Sequence, residues 1–296
     1  MSIVERALKR LQTQGAPRSV RTQNPVARVT RNSQFLAASG YDNESIVGKG
    51  RIVEFSFTAL SEAGAYSEGN SVLTDEYRLI KQPLLKKAAN TGSPENPRGN
   101  LVMVASALAG EGKTFSSVNL SLSMAKERDW QVMLVDVDCR NPQLSELLGV
   151  SEEPGIMDVL RDPSIELESV VMPTNIEGLS VLPVGNADNH SAEYLASSRM
   201  ESLCERLTAA AHHQIVVFDS SPLLLTPEPS ILSSQVGQVV LVVLANATPQ
   251  QAVLDAIAKL DADTAIGLIL NKADRDEDIL KYGSYSIYGR AGSKQA

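Results

Sequence analysis

The sequence predicts an α/β protein with a doubly wound, mostly parallel sheet. Short apolar runs rich in β-branched residues recur from residue 100 onward, and stretches of helical periodicity separate them. Strands that are buried on both faces give such runs, and the helices between them cover the faces of a parallel sheet. The predicted strands span residues 101–106, 132–136, 179–183, 215–219, 239–244 and 265–270. The predicted helices span residues 114–128, 142–148, 192–211, 224–234 and 248–262.

Composition limits the class of protein. The chain has 296 residues, 43% of them hydrophobic, and its longest apolar runs are only as long as a strand, whereas a membrane span needs about 20 apolar residues. Two cysteines are too few for a disulfide framework, which indicates a reducing, cytoplasmic setting. The formal net charge of −8 argues against nucleic acid as a partner, because phosphate contacts need a basic face.

The N-terminal part of the chain has a different character. Residues 3–11 have the pattern of a short amphipathic helix, which is either a plain surface helix or a docking element. Residues 12–50 are rich in Gln, Asn, Ser, Arg and Gly, a composition typical of a flexible linker. We therefore predict an extension over residues 1–71, a globular domain over residues 72–280 and a tail over residues 281–296.

A further helix is predicted over residues 75–88. Pro83 lies inside it and is expected to kink the helix or break it in two. Asp75, Arg78 and Lys81 recur every three residues, which predicts one charged face. That face is either simply solvated or serves self-association.

The first predicted strand leads through a loop of small residues into a helix that opens with Gly112, Lys113 and Thr114. A nucleotide phosphate site requires this order. Backbone N–H groups and the helix dipole face the anion, Lys113 reaches the terminal phosphates, and Thr114 offers its hydroxyl to Mg²⁺. Ala107 replaces the first glycine of the G-x-x-x-x-G-K-[ST] motif, which fits a position that needs a small side chain more than a positive φ. The alternative is an ordinary glycine loop.

Acidic residues follow two other predicted strands. Asp136 and Asp138 end the second strand, Arg140 follows them, and Asp219 ends the fourth strand. Carboxylates just past a buried strand are costly unless they meet a cation, and oxygen ligands suit Mg²⁺. One aspartate of the first pair would then be free to act as a base, while Arg140 stabilises phosphoryl charge. Asp219 is placed as a second metal anchor acting through water. The alternative is that the pair is an ordinary set of surface acids.

The last predicted strand ends in Asn271, Lys272, Ala273 and Asp274. Asn-Lys-x-Asp is the guanine-reading pattern of GTPases. An Asn at this strand end can equally contact adenine in related ATPases. The sequence therefore leaves the base of the nucleotide open.

A tyrosine cluster lies near the C-terminus. Tyr282, Tyr285 and Tyr288 are three of the seven tyrosines of the chain, and they stand among Gly and Ser. The apolar partners of a core helix are missing there, so we predict a mobile tail. Tyrosines grouped on such a tail suit phosphoryl acceptors, or a recognition patch.

Together these motifs resemble those of the bacterial tyrosine kinases built on the P-loop NTPase fold of MinD and ParA. That family carries a Ser-x-x-Pro-x-Glu-Gly-Lys-Ser/Thr loop, strands ending Asp-x-Asp-x-Arg and Asp-Ser/Thr-Pro-Pro, and a C-terminal tyrosine cluster. The corresponding stretches here are residues 106–114, 136–140, 219–222 and 282–288. Ala109 replaces the loop proline and Ser221 the first proline after the aspartate. Residues 1–8 and 76–81 are more closely similar to stand-alone tyrosine autokinases associated with exosortase-type exopolysaccharide gene clusters.

The resemblance implies an autokinase that uses ATP and Mg²⁺ and modifies tyrosines in trans on a neighbour's tail. It implies nucleotide contacts from Ala109, Gly110, Glu111, Gly112, Lys113, Thr114, Phe115 and Asn271. It implies Mg²⁺ contacts from Thr114, Asp138 and Asp219. It implies catalytic roles for Lys113, Asp136, Asp138 and Arg140, with Asp136 as the base, and Tyr282, Tyr285 and Tyr288 as acceptors.

The resemblance also implies partners. The family's Glu-x-x-Arg-x-x-Arg self-association helix corresponds here to Asp75, Arg78 and Lys81, although Lys cannot reproduce a bidentate Arg contact. The chain is therefore expected to form a homo-oligomer, with the tail of one subunit at the site of the next. A membrane activator of the chain-length-determinant or polysaccharide co-polymerase type would recruit it from the cytoplasm to the inner membrane, where it would control exopolysaccharide synthesis and export.

Two other functions use the same loop. A nucleotide-switched ATPase of the MinD/ParA type would hydrolyse ATP without labelling tyrosine, but Leu108 stands where those proteins have a signature lysine. A GTPase would rest on residues 271–274 alone.

Overall fold

A computed structural model of the chain describes residues 27–30, 48–49, 51–62, 71–209, 213–262 and 264–273. The predicted helix over residues 3–11, Asp274 and the three clustered tyrosines lie outside these ranges.

The first described elements are a small antiparallel pair, β1 (Ala27–Thr30) and β2 (Ile52–Phe55), and helix α1 (Phe57–Glu62). Val53 and Leu60 are fully buried. Asn175 Oδ1 accepts a hydrogen bond of 2.7 Å from the amide of Phe55. Part of the predicted extension over residues 1–71 thus packs against the domain, and the boundary at residue 72 stays a prediction. Four alternating residues after a linker-like stretch give too short a pattern to predict β2.

The main sheet has seven strands. They are β3 (Leu101–Ser106), β4 (Gln131–Asp136), β5 (Met172–Pro173), β6 (Leu179–Leu182), β7 (Gln214–Pro222), β8 (Gln238–Leu244) and β9 (Ala265–Asn271). Their spatial order is β5-β6-β4-β7-β3-β8-β9, and all neighbours run parallel except β5, which is antiparallel to β6. The predicted mostly parallel sheet is therefore confirmed. The two-residue strand β5 is too short to leave a pattern in the sequence.

Helices cover both faces of this sheet. They are α2 (Ser71–Ala88), α3 (Lys113–Met124), α4 (Gln143–Leu147), α5 (Ile156–Arg161), α6 (Leu167–Val170), α7 (Ser191–Leu195), α8 (Ser198–Ala209), α9 (Glu228–Ser233) and α10 (Gln250–Ile257). Leu101 and Met103 of β3 pack with α5–α10, whereas Val102 and Val104 pack with α1–α4. This alternation is why β3 reads as a continuous apolar run. The helix predicted over residues 192–211 is two helices, because Ser197 Oγ accepts the amide of Met200 and caps a new start.

Helix α2 corrects the predicted break at Pro83 and the predicted charged face. It runs unbroken through Pro83, whose side chain is exposed. Tyr77 before this proline and Leu84 after it are buried and hold the helix against the sheet. Asp75 and Arg78 are exposed and form an ion pair of 2.6 Å. Lys81 does not share their face: it is 3% exposed.

Lys81 is instead bound to the C-terminal end of α3. Its Nζ donates to the carbonyl oxygen of Ser123 at 2.6 Å and lies 2.7 Å from Glu127 Oε1. A spacing of three residues falls short of a full turn by about 60°, so positions six apart differ by about 120° around the helix. The three-residue pattern therefore does not keep Lys81 on the charged face. Within the described residues, no helix combines the length and apolarity needed to cross a bilayer.

Candidate active site

The loop between β3 and α3 has the backbone of a phosphate-binding loop. Gly110 and Gly112 adopt φ values of +80° and +96°, and α3 begins at Lys113. A Cβ at Gly112 would lie 2.1 Å from Asn271 Nδ2, so this position requires glycine for two reasons. Ala107 is fully buried and its φ is not positive. The position of the missing first glycine thus needs a small side chain, as the sequence suggested.

The side chain of Glu111 braces this loop from inside. It is 2% exposed, its Oε2 accepts the amide of Leu108 at 2.7 Å, and its Oε1 is hydrogen-bonded to the hydroxyl of Thr248. Asn271 Nδ2 donates to the carbonyl oxygen of Glu111 at 2.8 Å, and Asn271 Oδ1 accepts the amide of Lys272 at 2.9 Å. Both ends of the Asn271 amide are therefore engaged within the chain, so Asn271 positions the loop in this structure. Thr248 carried no signal in the sequence.

Two buried aspartates lie side by side, Asp136 at the last residue of β4 and Asp219 in the carboxyl-terminal half of β7. Asp136 and Asp219 are paired in the strand register and are 0% and 1% exposed. The pKa of Asp136 is raised to about 8, first by burial and then by the nearby charge of Asp219, against hydrogen bonds from Ser145 and Asp138 that lower it. Burial raises the pKa of Asp219 to about 6 against the hydroxyl of Thr114 and the charge of Lys113. Two such carboxyl groups favour a cation between them and the loop.

The two aspartates of the β4 end have different surroundings. Asp136 accepts three hydrogen bonds: from the amide of Asp138 at 3.0 Å, and from the amide and hydroxyl of Ser145 at 2.8 and 2.7 Å. Asp138 is 8% exposed and accepts hydrogen bonds from the amide of Asn141, at 3.1 Å, and from the backbone of Arg140. Burial raises the pKa of Asp138, while these hydrogen bonds and the charge of Lys113 lower it. Asp136 is thus saturated by its own loop, whereas Asp138 faces Lys113.

These residues fit a magnesium ion held jointly with phosphate. The described residues contain no group of three or more His, Cys, Asp or Glu side chains that could hold a metal by itself. Mg²⁺ in phosphate sites usually takes one or two protein oxygens and completes its shell with phosphates and water. The Thr114 hydroxyl beside Asp219, and Asp138 next to Lys113, are a donor set of this kind.

Arg140 points to a partner that sequence analysis missed. Its Nε lies 3.4 Å from Oε1 of Glu228, the first residue of α9. The Arg140 side chain is 66% exposed and that of Glu228 only 6%. A contact across 88 residues leaves no local pattern in the sequence. Cys139 lies between Asp138 and Arg140 in the sequence, and burial raises the pKa of its thiol to about 12, which disfavours the nucleophilic thiolate.

Phe115 lies at the other side of the loop. Its ring centroid is 6.5 Å from that of Tyr77, and together with Leu270, Asn271 and Lys272 it lines a mainly apolar groove beside β9. An apolar groove next to a phosphate loop suits a nucleotide base. The structure thus brings Lys113, Thr114, Phe115 and the three aspartates to one edge of the sheet, while Asp75 and Arg78 lie on the exposed side of α2.

Comparisons with known proteins agree with this arrangement. A family model described as "ParA: NUBPL iron-transfer P-loop NTPase" matches residues 98–218. The tyrosine-protein kinase YwqD of Bacillus subtilis (strain 168) is 28% identical over 225 residues, which cover 76% of this chain and 90% of YwqD. The putative tyrosine-protein kinase EpsB of Ralstonia nicotianae is 31% identical over 194 residues, which cover 64% of this chain and 25% of EpsB.

Among solved structures, the kinase domain of VpsO superimposes with a TM-score of 0.56 at 28% identity and covers 68% of this chain and 96% of that domain. The chain thus spans most of YwqD and of the VpsO domain, but about a quarter of the longer EpsB.

Proposed function

The chain belongs to the bacterial tyrosine kinases built on a P-loop NTPase fold, and from this premise we propose that it is an ATP-dependent protein tyrosine autokinase. One observation carries the proposal: Lys113 and Thr114 of the phosphate loop meet the carboxyl groups of Asp136, Asp138 and Asp219 at one edge of the sheet. Phosphoryl transfer depends mainly on positioning and on charge stabilisation, which this set provides.

The loop holds the nucleotide. Its backbone amides and Lys113 bind the phosphates of ATP, and Phe115 lies where the base would stack. Thr114 and Asp138 would ligate Mg²⁺, and Asp219 would hold it through water. When bound, Mg²⁺ neutralises charge on the phosphates, which is the chemistry this ion supplies in phosphoryl transfer.

The reaction is a displacement at the γ-phosphorus. The phenolic oxygen of a tyrosine forms a bond to that phosphorus while the bond from the phosphorus to the β,γ-bridging oxygen breaks. ADP leaves with the electron pair of the broken bond, and the phenolic proton passes to a carboxylate. Arg140, which is two-thirds exposed at the mouth of the site, is free to turn toward the transferred group.

We assign the base role to Asp138 in place of Asp136, so that one oxygen of the Asp138 carboxylate would ligate Mg²⁺ and the other would take the proton. The resemblance pointed to Asp136, but that carboxyl is fully buried and accepts three hydrogen bonds from its own loop. A base must come within hydrogen-bond reach of the proton it takes. Asp138 is the more open of the two and lies nearer to Lys113. Asp136 then acts as the residue that shapes the loop after β4.

The acceptors and partners follow from the family. We propose that Tyr282, Tyr285 and Tyr288 receive the phosphoryl group from a neighbouring subunit, and that Asp75 and Arg78 contribute to self-association. A membrane protein of the chain-length-determinant type would be the activator, and control of exopolysaccharide synthesis and export would be the cellular role. The exosortase-associated subgroup remains a prediction from residues 1–8 and 76–81.

Mass spectrometry after incubation with Mg·ATP tests the activity. The wild-type chain, made alone and treated with phosphatase beforehand, is expected to gain phosphate on the C-terminal peptide. Lys113→Met should abolish this gain, while Lys126→Met, which removes an exposed lysine beyond α3, should leave it intact. A Lys113→Met chain that still modifies itself would exclude the autokinase.

The same experiment separates the alternative functions. A nucleotide-switched ATPase would release phosphate without labelling tyrosine. A GTPase would prefer GTP in a competition between the two nucleotides. The engagement of the Asn271 amide with Glu111 and Lys272 weakens the guanine-reading interpretation, because that side chain is already occupied.

A further inference from the structure

A second groove opens next to Asp138, on the side away from Phe115. It lies between the segment after β4, the start of α7 and the start of α9. Its polar and turn residues are Arg140, Asp188, Asn189, Glu193, Pro227 and Glu228. The proposed nucleotide contacts use none of these residues, and the proposed catalytic set uses only Arg140.

Glu228 marks the floor of this groove. The residue is 5% exposed, and within the described part of the chain its Oε2 is buried with no hydrogen-bond partner. Among the residues that the structure describes, its Oε1 is held only by the long contact of 3.4 Å to Arg140 Nε. A buried carboxylate oxygen without a donor is costly, so this atom is suited to a donor that enters the groove. Arg140 is 66% exposed and can turn aside to admit one.

The groove is acidic. Asp188, Glu193 and Glu228 outnumber Arg140 along its wall, and Asp138 directly precedes the lining residues Cys139 and Arg140. Asp188 is already paired with Arg161 at 2.9 Å. Glu193 lies exposed on the rim in the first turn of α7. The charge that the groove offers to an incoming ligand is therefore negative at the rim and on the floor.

The C-terminal segment has the opposite charge. Residues 281–296 contain Lys281, Arg290 and Lys294 and no acidic side chain, although the whole chain carries a net charge of −8. The three clustered tyrosines lie between the first two of these basic residues. Opposite charges on two surfaces guide their encounter and their register.

We propose that this groove is the acceptor-peptide site and that it selects tyrosines flanked by basic residues, its occupant being residues 281–296 of a second copy of the chain. Basic side chains of the segment pair with Glu193 at the rim, and Glu228 accepts a hydrogen bond from the segment once Arg140 has moved. The tyrosine hydroxyl then faces Asp138. This inference rests on the proposed kinase function and adds the recognition rule for its substrate.

Peptide binding tests the groove without requiring catalysis. The probe is a fluorescein-labelled peptide of residues 281–296, titrated with the full chain at low ionic strength and followed by anisotropy. Glu193→Lys is expected to weaken binding about three- to tenfold, in the range that reversal of one rim charge produces. Glu177→Lys is the matched control, because Glu177 is an exposed acid that precedes β6, at the opposite edge of the sheet. Glu228→Gln should also weaken binding.

A charge-reversed peptide completes the design. A peptide carrying Lys281→Glu and Arg290→Glu should bind the wild-type chain poorly and should regain affinity for Glu193→Lys. The groove assignment is overturned if Glu193→Lys and Glu177→Lys lower the affinity equally, or if the reversed peptide gains nothing. Groove-dependent binding without phosphate transfer would instead overturn the kinase activity, so the two failures are distinguishable.

Discussion

Asp136 and Asp219 occupy paired positions on the neighbouring strands β4 and β7, and both are almost completely buried. Parallel pairing places the two carboxyl groups at the same edge of the sheet, next to the phosphate loop. Without a cation, the ionised form of each is disfavoured, by burial first and by nearby carboxylate charge second. This pair therefore links the binding site to the stability of the protein.

The stability of the nucleotide-free protein should fall as the pH rises. The pKa values of Asp219 and Asp136 are raised in the folded state to about 6 and about 8. A raised pKa means that the folded protein binds protons more strongly than the unfolded chain, whose carboxyl pKa is about 4. The contribution to stability is complete below about pH 4 and is lost as the pH passes through about 6 and then about 8.

Thermal unfolding measured between pH 5.5 and 8.5 checks this. We expect a falling melting temperature, and a shallower fall for Asp219→Asn, which keeps an acceptor for Ser117 but cannot ionise. The exposed-residue control Asp255→Asn should retain the wild-type slope. Mg·ADP should flatten the profile, because a bound cation stabilises the ionised carboxylates. A wild-type curve that rises steadily over this range would contradict the linkage.

Asp136→Asn and Asp138→Asn should separate stability from chemistry. In Asp136→Asn, an NH₂ group replaces one of the two carboxylate oxygens that accept hydrogen bonds from Ser145 and Asp138. Donors then face donors on that side, which should lower the free energy of unfolding by about 1–3 kcal/mol. At Asp138, an amide oxygen can still accept the amide of Asn141, so stability should change little while turnover falls about 10²- to 10⁴-fold. Urea unfolding and single-turnover phosphorylation measure the two effects. An active Asp138→Asn enzyme beside an inactive but stable Asp136→Asn enzyme would return the base role to Asp136.

The sequence predicted the strands well because burial on both faces leaves a continuous apolar run, as in β3, and because the strand ends carry charged residues. It could not separate the surroundings of Asp136 and Asp138, which are the same residue type two positions apart. Hydrogen bonds from Ser145, nine residues away, make that distinction. Glu228 was missed for a similar reason, since its contact with Arg140 joins two different strand ends.

The sequence also led to a wrong prediction where a spacing of three residues was taken to place three side chains on one face of a helix. Asp75 and Arg78 do form an exposed pair, but the third member of the pattern turned inward. Pro83 was expected to disrupt the same helix, and packing of its neighbours against the sheet outweighed the local penalty. A spacing of three keeps two residues on nearby faces of a helix but carries the third to another face, whereas packing against the sheet decides whether a helix continues through a proline.

Lys81 should therefore be a stability residue, with Arg78 as its matched contrast. Lys81→Met removes a buried ammonium that binds both Ser123 and Glu127, and it leaves the Ser123 carbonyl without that donor. We expect a loss of about 1–3 kcal/mol in the free energy of unfolding. Arg78→Ala breaks an exposed ion pair and should change stability by less than about 1 kcal/mol. Chemical denaturation measures both.

The same two variants also test whether the exposed face of α2 takes part in self-association. If Asp75 and Arg78 contribute to contacts between copies, Arg78→Ala should lower the oligomer mass measured by light scattering while the fold remains stable. Lys81→Met should not lower it except through unfolding. A stable Lys81→Met protein that is also dissociated would restore Lys81 to the association surface.

Gly112→Ala should weaken nucleotide binding at least about tenfold. A methyl group there would lie 2.1 Å from Asn271 Nδ2, at a residue whose φ is +96°, so the loop must shift away from the brace that Asn271 and Glu111 provide. Gly92→Ala is the matched control, because Gly92 has a similar φ of +86° but no heavy atom within 4 Å of the added carbon. That control should cost stability, since an L side chain is strained there, and leave nucleotide affinity unchanged. Titration with a fluorescent ATP analogue distinguishes the steric clash with Asn271 from the backbone strain that both variants share. Equal losses of affinity in the two variants would show that the contact with Asn271 plays no part in holding the loop.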